Sequence, residues 1–415
     1  MHSLRAVPAG DPQIQPSYAE IARQWCRIGC VGFGGPPAHI ALFRELCVTQ
    51  RAWLTDEQFE RALAAVNLLP GPASTQLSIY CAWRLRGRRG ALLGGLCFIL
   101  PGLLMILVLS VLFLGGSPPR WVRGAGMGAG AAVAAVAVSA GFGVAAPIWR
   151  RATDSERRRL LFYGLAGGVA AAVTGPWLVL VLLACGAVEL ARQRVAHDGQ
   201  RFDGWSVLAW SGLARSPMGL LRGSIRPWLL LGASTDPGGL GALGWTALKV
   251  GALAFGGGFV IVPLMQSDAV GTYHWMTHGQ FLNAVALGQI TPGPLTQTVA
   301  AVGYAAAGLG GALLAALVAF APSFSFILLG AARFERLLVD QRVLAFLAGA
   351  APAAAGAIIG AAVPLSAALG EIWQYAVLAA AAIALLMLRR AVVGTLLAAA
   401  LAGLTAALLG APIPH

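Results

Sequence analysis

Neutral hydrogen-bond donors flank a Pro-Gly-Pro sequence that occurs twice in this chain, at residues 70–72 and 292–294. Hydroxyl and amide side chains are suited to the oxygens of a desolvated oxyanion, as are backbone amides freed at a helix start. The flanking donors are Asn67, Ser74, Thr75, Gln76 and Ser78 in the first half and Gln289, Thr291, Thr296, Gln297 and Thr298 in the second. The alternative is that the Ser and Thr hydroxyls cap their own helices.

Each Pro-Gly-Pro sequence is predicted to end one helix and begin another, because proline lacks a backbone donor and glycine relaxes the backbone. Phe33-Gly34-Gly35-Pro36 and Phe255-Gly256-Gly257 are predicted to be two further breaks. At membrane depth, such breaks persist only where protein or a polar cavity satisfies the freed backbone groups. The glycines expected to lie against a bound anion are Gly34, Gly35, Gly71, Gly256, Gly257 and Gly293.

Ionisable side chains near the breaks are sparse, and an ionisable group inside a membrane domain is a functional candidate. Arg44 or Lys249 is expected to supply the countercharge for the anion, and Glu45 and Asp268 are candidates for proton or ion coupling. His39 is a candidate proton relay, with helix packing as the alternative. For Arg44 and Glu45, the alternative is that they reach an interface and are solvated there.

Composition places these candidates in a polytopic membrane protein. Hydrophobic residues make up 58% of the 415 residues, charged residues make up 11%, and the mean hydropathy is +0.75. At about 20 apolar residues per span, the chain has room for roughly 10 to 13 membrane segments. The net charge is +13, and almost all of the positive charge comes from arginine. Arginine in short clusters between apolar segments is typical of positive-inside topology. No soluble domain is left to bind nucleic acid.

The arms between the breaks are too short to cross a bilayer. Thr55 and Gln58 form a predicted capping box, from which a helix reaches Leu69. An arm of 12 or 13 residues is roughly 20 Å long, whereas the hydrocarbon core is about 30 Å thick. We therefore expect an all-α fold with broken or re-entrant helices whose tips meet near the midplane. Conventional spans are predicted at about 91–114, 122–148, 160–174 and 176–191.

The second half repeats the first at an offset of 222 residues, which carries residues 33–35 onto 255–257 and residues 70–72 onto 292–294. One residue is lost by the point where Gly90 matches Gly311. At the unshifted offset of 222 residues, Ser-Thr-Gln after the first break is equivalent to Thr-Gln-Thr after the second. Arg44 is likewise equivalent to Gln266, and Lys249 to Arg27. These differences are where selectivity is expected.

Four regions follow from the repeat. They are a polar N-terminal segment, 1–17, a first membrane repeat, 18–193, a basic linker, 194–238, and a second membrane repeat, 239–415. The N-terminal segment is predicted to contain no cleavable signal peptide and to lie in the cytoplasm. The arginines of residues 84–89 have uncharged counterparts in the second half, whereas Arg333, Arg336 and Arg342 match a less charged stretch of the first. If basic loops stay in the cytoplasm, the halves are inverted repeats, an arrangement typical of secondary transporters.

Enzyme chemistry finds little support in the sequence. The six cysteines and six histidines are scattered without metal-ligand spacing, and no dinucleotide-binding fingerprint is present. We therefore expect no metal, no cofactor and no catalytic residues. The residues by themselves predict an anion transporter.

Four sequence blocks in order resemble the chromate ion transporter family in its long form with two homologous halves. They are Phe33-Gly34-Gly35-Pro36 with Ala38-His39-Ile40; residues 67–72 with Ser74-Thr75-Gln76; Phe255-Gly256-Gly257-Gly258 with Pro263-Leu264; and Gly288-Gln289 with Thr291-Pro292-Gly293-Pro294 and Gly303-Tyr304. The resemblance covers almost the whole chain. Leu295-Thr296-Gln297 departs from the small or β-branched residues expected after the second break.

The resemblance implies export of chromate across the bacterial inner membrane, with chromate resistance as the result. Sulfate, a tetrahedral oxyanion of similar size, is the alternative substrate. The implied partners are chromate or sulfate and the lipid bilayer, and the sequence leaves open whether the chain forms a homodimer. It also leaves open whether export is driven by the membrane potential, by proton coupling or by anion exchange.

Overall fold

The computed structural model describes residues 15–69, 71–116, 118–173, 178–198, 238–254, 259–330 and 340–413. Within these residues every regular element is a helix. In the first half the helices are α1 (Tyr18–Val31), α2 (Pro36–Arg44), α3 (Asp56–Leu68), α4 (Ala73–Leu114), α5 (Arg120–Arg151), α6 (Asp154–Val173) and α7 (Leu178–Asp198). A π-helical segment, Glu45–Gln50, continues α2.

The second half repeats this order after the linker, most of which lies outside the described residues. Its helices are α8 (Leu240–Leu253), α9 (Ile261–Gln266), α10 (His278–Ile290), α11 (Thr298–Gly330), α12 (Gln341–Gly360), α13 (Ala362–Ala367), α14 (Ile372–Ala382) and α15 (Val392–Leu408). A π-helical segment, Ser267–Thr272, continues α9 as its counterpart continues α2, and a further π-helical segment, Ile383–Met387, continues α14. A short 3₁₀ turn, Leu295–Gln297, precedes α11.

The start of α3 confirms the predicted capping box. The Thr55 hydroxyl accepts from the Gln58 amide (3.2 Å), and the Gln58 side chain accepts from the Thr55 amide (3.1 Å). Thr277 and Gln280 form the same box at the start of α10. A side-chain N-cap contributes about 0.5–2 kcal/mol, so local sequence fixes both starts.

Helix α4 reverses direction at Arg86 and Gly87, whose backbone angles are not helical. A Cβ on Gly94 would lie 2.5 Å from the Cβ of Ala82, twelve residues earlier. A straight helix would separate these positions by about 18 Å, so the two arms of α4 pack against each other as a hairpin. Gly87 has φ +61°, a conformation that glycine adopts without steric cost.

Helix α11 has the same reversal at Ala307 and Gly308, with nearly identical backbone angles. A Cβ on Gly303 would lie 2.8 Å from the Cβ of Ala315. The two reversals are 221 residues apart, as are the prolines inside α4 and α11, Pro101 and Pro322. The residue missing from the second half is therefore lost before the reversal.

Four described segments are long and apolar enough to cross a membrane, namely Ala73–Leu114, Arg120–Arg151, Leu295–Gly330 and Gln341–Ala367. Two of these contain the reversals. The first arm of α4, residues 73–85, is only about 20 Å long, less than the hydrocarbon thickness of about 30 Å. It forms a re-entrant segment, as the sequence predicted, and the second arm spans.

Equivalent arms of the two halves run in opposite directions. Near the first reversal, the Arg86 guanidinium donates to the carbonyl of Pro16, just before α1 (2.6 Å). The second reversal lies at the far end of α4, where a Cβ on Gly115 would lie 3.0 Å from the Tyr304 hydroxyl. About 40 Å of helix, residues 88–114, separates these two places, so the repeats are inverted with respect to each other.

The halves are also interlocked. Helices α6 and α7 of the first half pack on α12 of the second, while α14 and α15 of the second half pack on α5 of the first. Glycines permit the close approach, since a Cβ on Gly167 would clash with the carbonyl of Ala353, and one on Gly128 with the carbonyl of Ala399. Neither half therefore buries its own last two helices without the other.

One end of this bundle carries many arginines and is called the arginine-rich side below. The first reversal and the C-terminal end of α5 both lie there, with Arg84, Arg86, Arg88, Arg89, Arg150 and Arg151. The other end, the opposite side, holds the N-terminal end of α5 and the second reversal.

Candidate functional site

The first break of one half touches the second break of the other. The Gly293 amide donates a hydrogen bond to the carbonyl oxygen of Gly32 (3.0 Å). Nε2 of His39 lies 2.8 Å from the same oxygen. His39 is fully buried, with its ring edge-on to Phe98. It supports the break rather than facing a cavity.

A cavity of about 660 Å³, called the junction cavity, opens beside this contact. Residues from all three of the predicted breaks that the structure describes line it, together with apolar wall residues of α5, α7 and α12. The break residues include Gly34, Gly35, Asn67, Gly71, Gln289 and Leu295. Pro147 and Ile148, near the C-terminal end of α5, also line it, so it extends towards the arginine-rich side.

Three glycines of the predicted breaks, Gly34, Gly35 and Gly71, bring backbone to the lining of the junction cavity. Gly34 and Gly35 have φ of +100° and +74°, which turns the chain sharply before α2. Gly71, with φ +123°, and Ala73 line the cavity where α4 begins. The first amides of α4 have no acceptor within the helix, and its N-terminus carries a partial positive charge. No Lys, Arg, Asp or Glu is among the described lining residues.

Five polar residues predicted to bind the anion are buried behind the cavity wall instead. Ser74, Thr75, Gln76, Thr296 and Gln297 are at most 1% exposed. Within the described chain, the hydroxyls of Ser74, Thr75 and Thr296 and the amide oxygen of Gln297 have no hydrogen-bond partner. The amide nitrogen of Gln297 donates to the Ile99 carbonyl (2.9 Å), which joins the halves a second time.

The structure corrects the register assumed after the second break. A Cβ on Gly71 would lie 2.6 Å from Nε2 of Gln76, and one on Gly293 would lie 3.1 Å from Nε2 of Gln297. Gln76 and Gln297 are therefore equivalent, and the 3₁₀ turn absorbs the missing residue directly after Pro294. The expected contrast of Ser-Thr-Gln with Thr-Gln-Thr is wrong, because the matched residues are Ser-Thr-Gln and Leu-Thr-Gln.

Comparison with known proteins agrees with this two-part architecture. The sequence model of the family described as chromate transporter matches residues 19–190 and 241–404, one region in each half. The chain belongs to the chromate transporter family. The chromate transport protein of Cupriavidus metallidurans is 31% identical over 86% of this chain and 85% of its own length.

Two further relatives are similar over most of the chain. The chromate transport protein of Pseudomonas aeruginosa is 28% identical, covering 85% of this chain and 83% of its own. An uncharacterized transporter of Methanocaldococcus jannaschii is 26% identical over 78% of each chain. No solved structure matches this chromate transporter family member.

The charged residues predicted to serve the anion lie away from the junction cavity. Arg44 is on the surface, where it pairs with Asp56 (2.7 Å) and Glu60 (3.1 Å). Glu45, also exposed, accepts from the Gln50 side chain (3.2 Å). Arg44 thus follows the alternative reading of a solvated interfacial side chain.

Lys249 and Asp268 bind each other. The lysine Nζ lies 2.5 Å from the Asp268 carboxylate, which also accepts from the Thr246 hydroxyl (2.9 Å). Their side chains are 19% and 7% exposed, and neither lines the junction cavity. The charge of Lys249 is therefore balanced within the protein.

The remaining residues predicted to bind the anion differ in their surroundings. Gln289 lines the junction cavity, and its amide nitrogen has no hydrogen-bond partner within the described chain. The Thr291 hydroxyl donates to the Gly288 carbonyl (3.3 Å), so Thr291 caps its own helix. Gly256 and Gly257 lie outside the described residues.

The sequence did not point to the wall that α5 contributes. Ser139 and Gly143 of α5 line the junction cavity with Phe346 of α12. The run of small residues in α5 predicts an ordinary span, although a serine in a glycine- and alanine-rich helix is a usable signal of a polar cavity. Among described residues, no three His, Cys, Asp or Glu side chains are grouped so as to hold a metal ion.

Proposed function

We propose that this chromate transporter family member exports chromate from the cytoplasm by alternating access, and that it binds the oxyanion in the junction cavity. The observation that carries the proposal is that breaks from both inverted halves line one cavity. Transporter binding sites form where broken helices of two repeats meet. Two relatives are named chromate transport proteins, which supports chromate as the substrate.

The proposed direction rests on charge. If the arginine-rich side faces the cytoplasm of a bacterial inner membrane, the junction cavity is open to cytoplasmic chromate. An inside-negative potential then favours export of a dianion, at about 2.3 kcal/mol per charge per 100 mV. The membrane potential therefore assists export, whether or not a proton or a second anion is exchanged.

The proposed ligands are neutral. The amide side chains of Asn67 and Gln289 face the cavity from opposite halves, and the N-terminus of α4 adds amides and a partial positive charge. Neutral donors hold a dianion without trapping it, and release is as necessary as binding in a carrier. We expect the arginines outside the cavity to attract the anion to its mouth.

Counterflow in proteoliposomes tests this proposal. Unlabelled chromate inside should drive uptake of labelled chromate, and Gln289→Leu should raise the half-saturating concentration about fivefold, since one hydrogen bond contributes about 1 kcal/mol. Gln50→Leu is the matched control, because Gln50 is exposed and bonds to Glu45. If unlabelled sulfate drives the flux and chromate does not compete, the substrate is sulfate.

Two further measurements address resistance and the rival enzyme reading. Cells expressing the wild-type chain should grow at chromate concentrations that stop cells carrying the Gln289→Leu variant. A membrane reductase would instead convert chromate to Cr(III), so Cr(III) produced by the purified protein with an electron donor would overturn the transporter assignment. We expect none above the protein-free blank.

A further inference from the structure

A second cavity, called the far cavity, lies on the opposite side of the molecule. Its volume is about 600 Å³, and it is lined by the N-terminal parts of α5 and α10 and by the chain around Gly370. Met127 of α5 lines it, whereas the α5 residues that line the junction cavity begin at Val136. The two cavities therefore occupy different ends of the same helices.

Helix α10 connects the two cavities through an amide residue at each. Asn283 lines the far cavity and Gln289 lines the junction cavity. They are about 9 Å apart along the helix, and every residue between them, Ala284–Gly288, is buried. A short stretch of packed helix thus separates two cavities that lie towards opposite sides.

The far cavity is built for a negative charge. Arg123 lines it, and no Asp or Glu is among its described lining residues. The N-terminus of α10 also points into it. Because Thr277 caps the Gln280 amide, the amides of His278 and Gly279, both lining residues, are left without a helix acceptor.

Asn283 is the second, independent sign of a ligand. It is 9% exposed, yet its amide oxygen has no hydrogen-bond partner within the described chain. Two glycines of α5 make room for it, since a Cβ on Gly126 would lie 2.9 Å from its amide nitrogen and one on Gly130 would lie 3.3 Å from its amide oxygen. Buried amide groups without partners are rare in native proteins, and oxygen and nitrogen of an amide exchange by a flip.

We propose that the far cavity is a second oxyanion site, in which Arg123, the Asn283 amide and the first amides of α10 bind a tetrahedral dianion. Its place as the exit station of the transport cycle rests on the proposed function, whereas anion binding in it does not. Arg123 brings a positively charged side chain to this site, whereas the described lining of the junction cavity contains none.

Thiol protection tests the binding directly. Gly279→Cys places a thiol on the cavity lining, where a side chain meets only Thr277 Oγ1 at 4.0 Å. Its reaction with a neutral, membrane-impermeant maleimide, followed by peptide mass spectrometry in the full-length protein, should slow with sulfate by the factor 1 + [sulfate]/Kd. Sulfate is the probe because chromate oxidises thiols, and chloride at equal ionic strength is the reference.

Matched variants decide which residues bind. Adding Arg123→Gln or Asn283→Leu should raise the sulfate concentration for half-protection about tenfold, equivalent to about 1.4 kcal/mol. Adding Arg120→Gln should change it less than twofold, since Arg120 bonds to the Ala411 carbonyl (2.9 Å) and does not line the cavity. Absence of protection in the Gly279→Cys protein, or equal protection in all three variants, overturns the proposal.

Vesicles of defined orientation separate this site from the proposed function. Arg123→Gln should raise the half-saturating chromate concentration about tenfold on the opposite side, and less than twofold on the arginine-rich side. An equal effect on both sides overturns the exit role. Sulfate protection without any chromate flux in the wild type would keep the binding site and remove the proposed function.

Discussion

The amide of Gly293 and the carbonyl of Gly32, 261 positions apart in the chain, form a 3.0 Å hydrogen bond. This bond joins the Pro-Gly-Pro break of the second half to the Phe-Gly-Gly break of the first. Both glycines sit where helices have ended, so their backbone groups are available to each other. The bond places the two breaks at one wall of the junction cavity.

Gly293→Ala should destabilise the protein by about 1–3 kcal/mol, because φ of +98° is strained for any residue with a Cβ. Thermal unfolding of the purified protein measures this. Gly310→Ala is the control, since nothing lies near its Cβ position and its φ is not positive. Equal melting temperatures for the two variants would show that the break tolerates a side chain.

Thr75→Val and Thr296→Val should leave stability unchanged or raise it by up to about 1 kcal/mol, since each removes a buried hydroxyl that has no hydrogen-bond partner among the described residues. We expect both to slow chromate flux severalfold, because these hydroxyls are available to an anion once the wall opens. Thr298→Val is the contrast. Its hydroxyl bonds to the Leu295 carbonyl (2.8 Å), so its loss should lower the melting temperature. Unchanged flux in the first two variants would place the pathway elsewhere.

Lys249→Met should destabilise the protein by about 3–5 kcal/mol, because it leaves the Asp268 carboxylate buried without its cation. The double variant Lys249→Met with Asp268→Asn should recover most of that loss, since Asn keeps an acceptor for Thr246. We expect chromate flux to recover with stability. A stable double variant without flux would instead support the predicted roles of Asp268 in coupling and of Lys249 as countercharge.

Arg44→Gln should change stability by less than about 1 kcal/mol, since its ion pairs with Asp56 and Glu60 are exposed. The half-saturating chromate concentration should stay within twofold of wild type in the counterflow assay. A tenfold increase would instead identify Arg44 as the countercharge that the sequence pattern predicted.

The sequence alone determined the local features. The capping boxes, the helix ends at the breaks and the short arms follow from residue types and spacing, because backbone donors and proline geometry act within a few residues. The repeat and the arginine placement predicted two inverted halves, which the opposite directions of the equivalent arms confirm.

Only the tertiary structure decided which breaks meet and which side chains reach a cavity. Gly293 bonds to Gly32, Lys249 to Asp268 and Arg44 to Asp56. The sequence pattern does not specify these pairs, because they form when separate segments of the chain pack against each other. The one-residue deletion after Pro294 shows the same limit. A 3₁₀ turn accommodates it, so its position is not evident when the two halves are aligned without a gap. Side chains on one helix face share a sequence spacing whether they meet protein or cavity, so Asn283 and Arg123 became visible only with the interlocked helices around them.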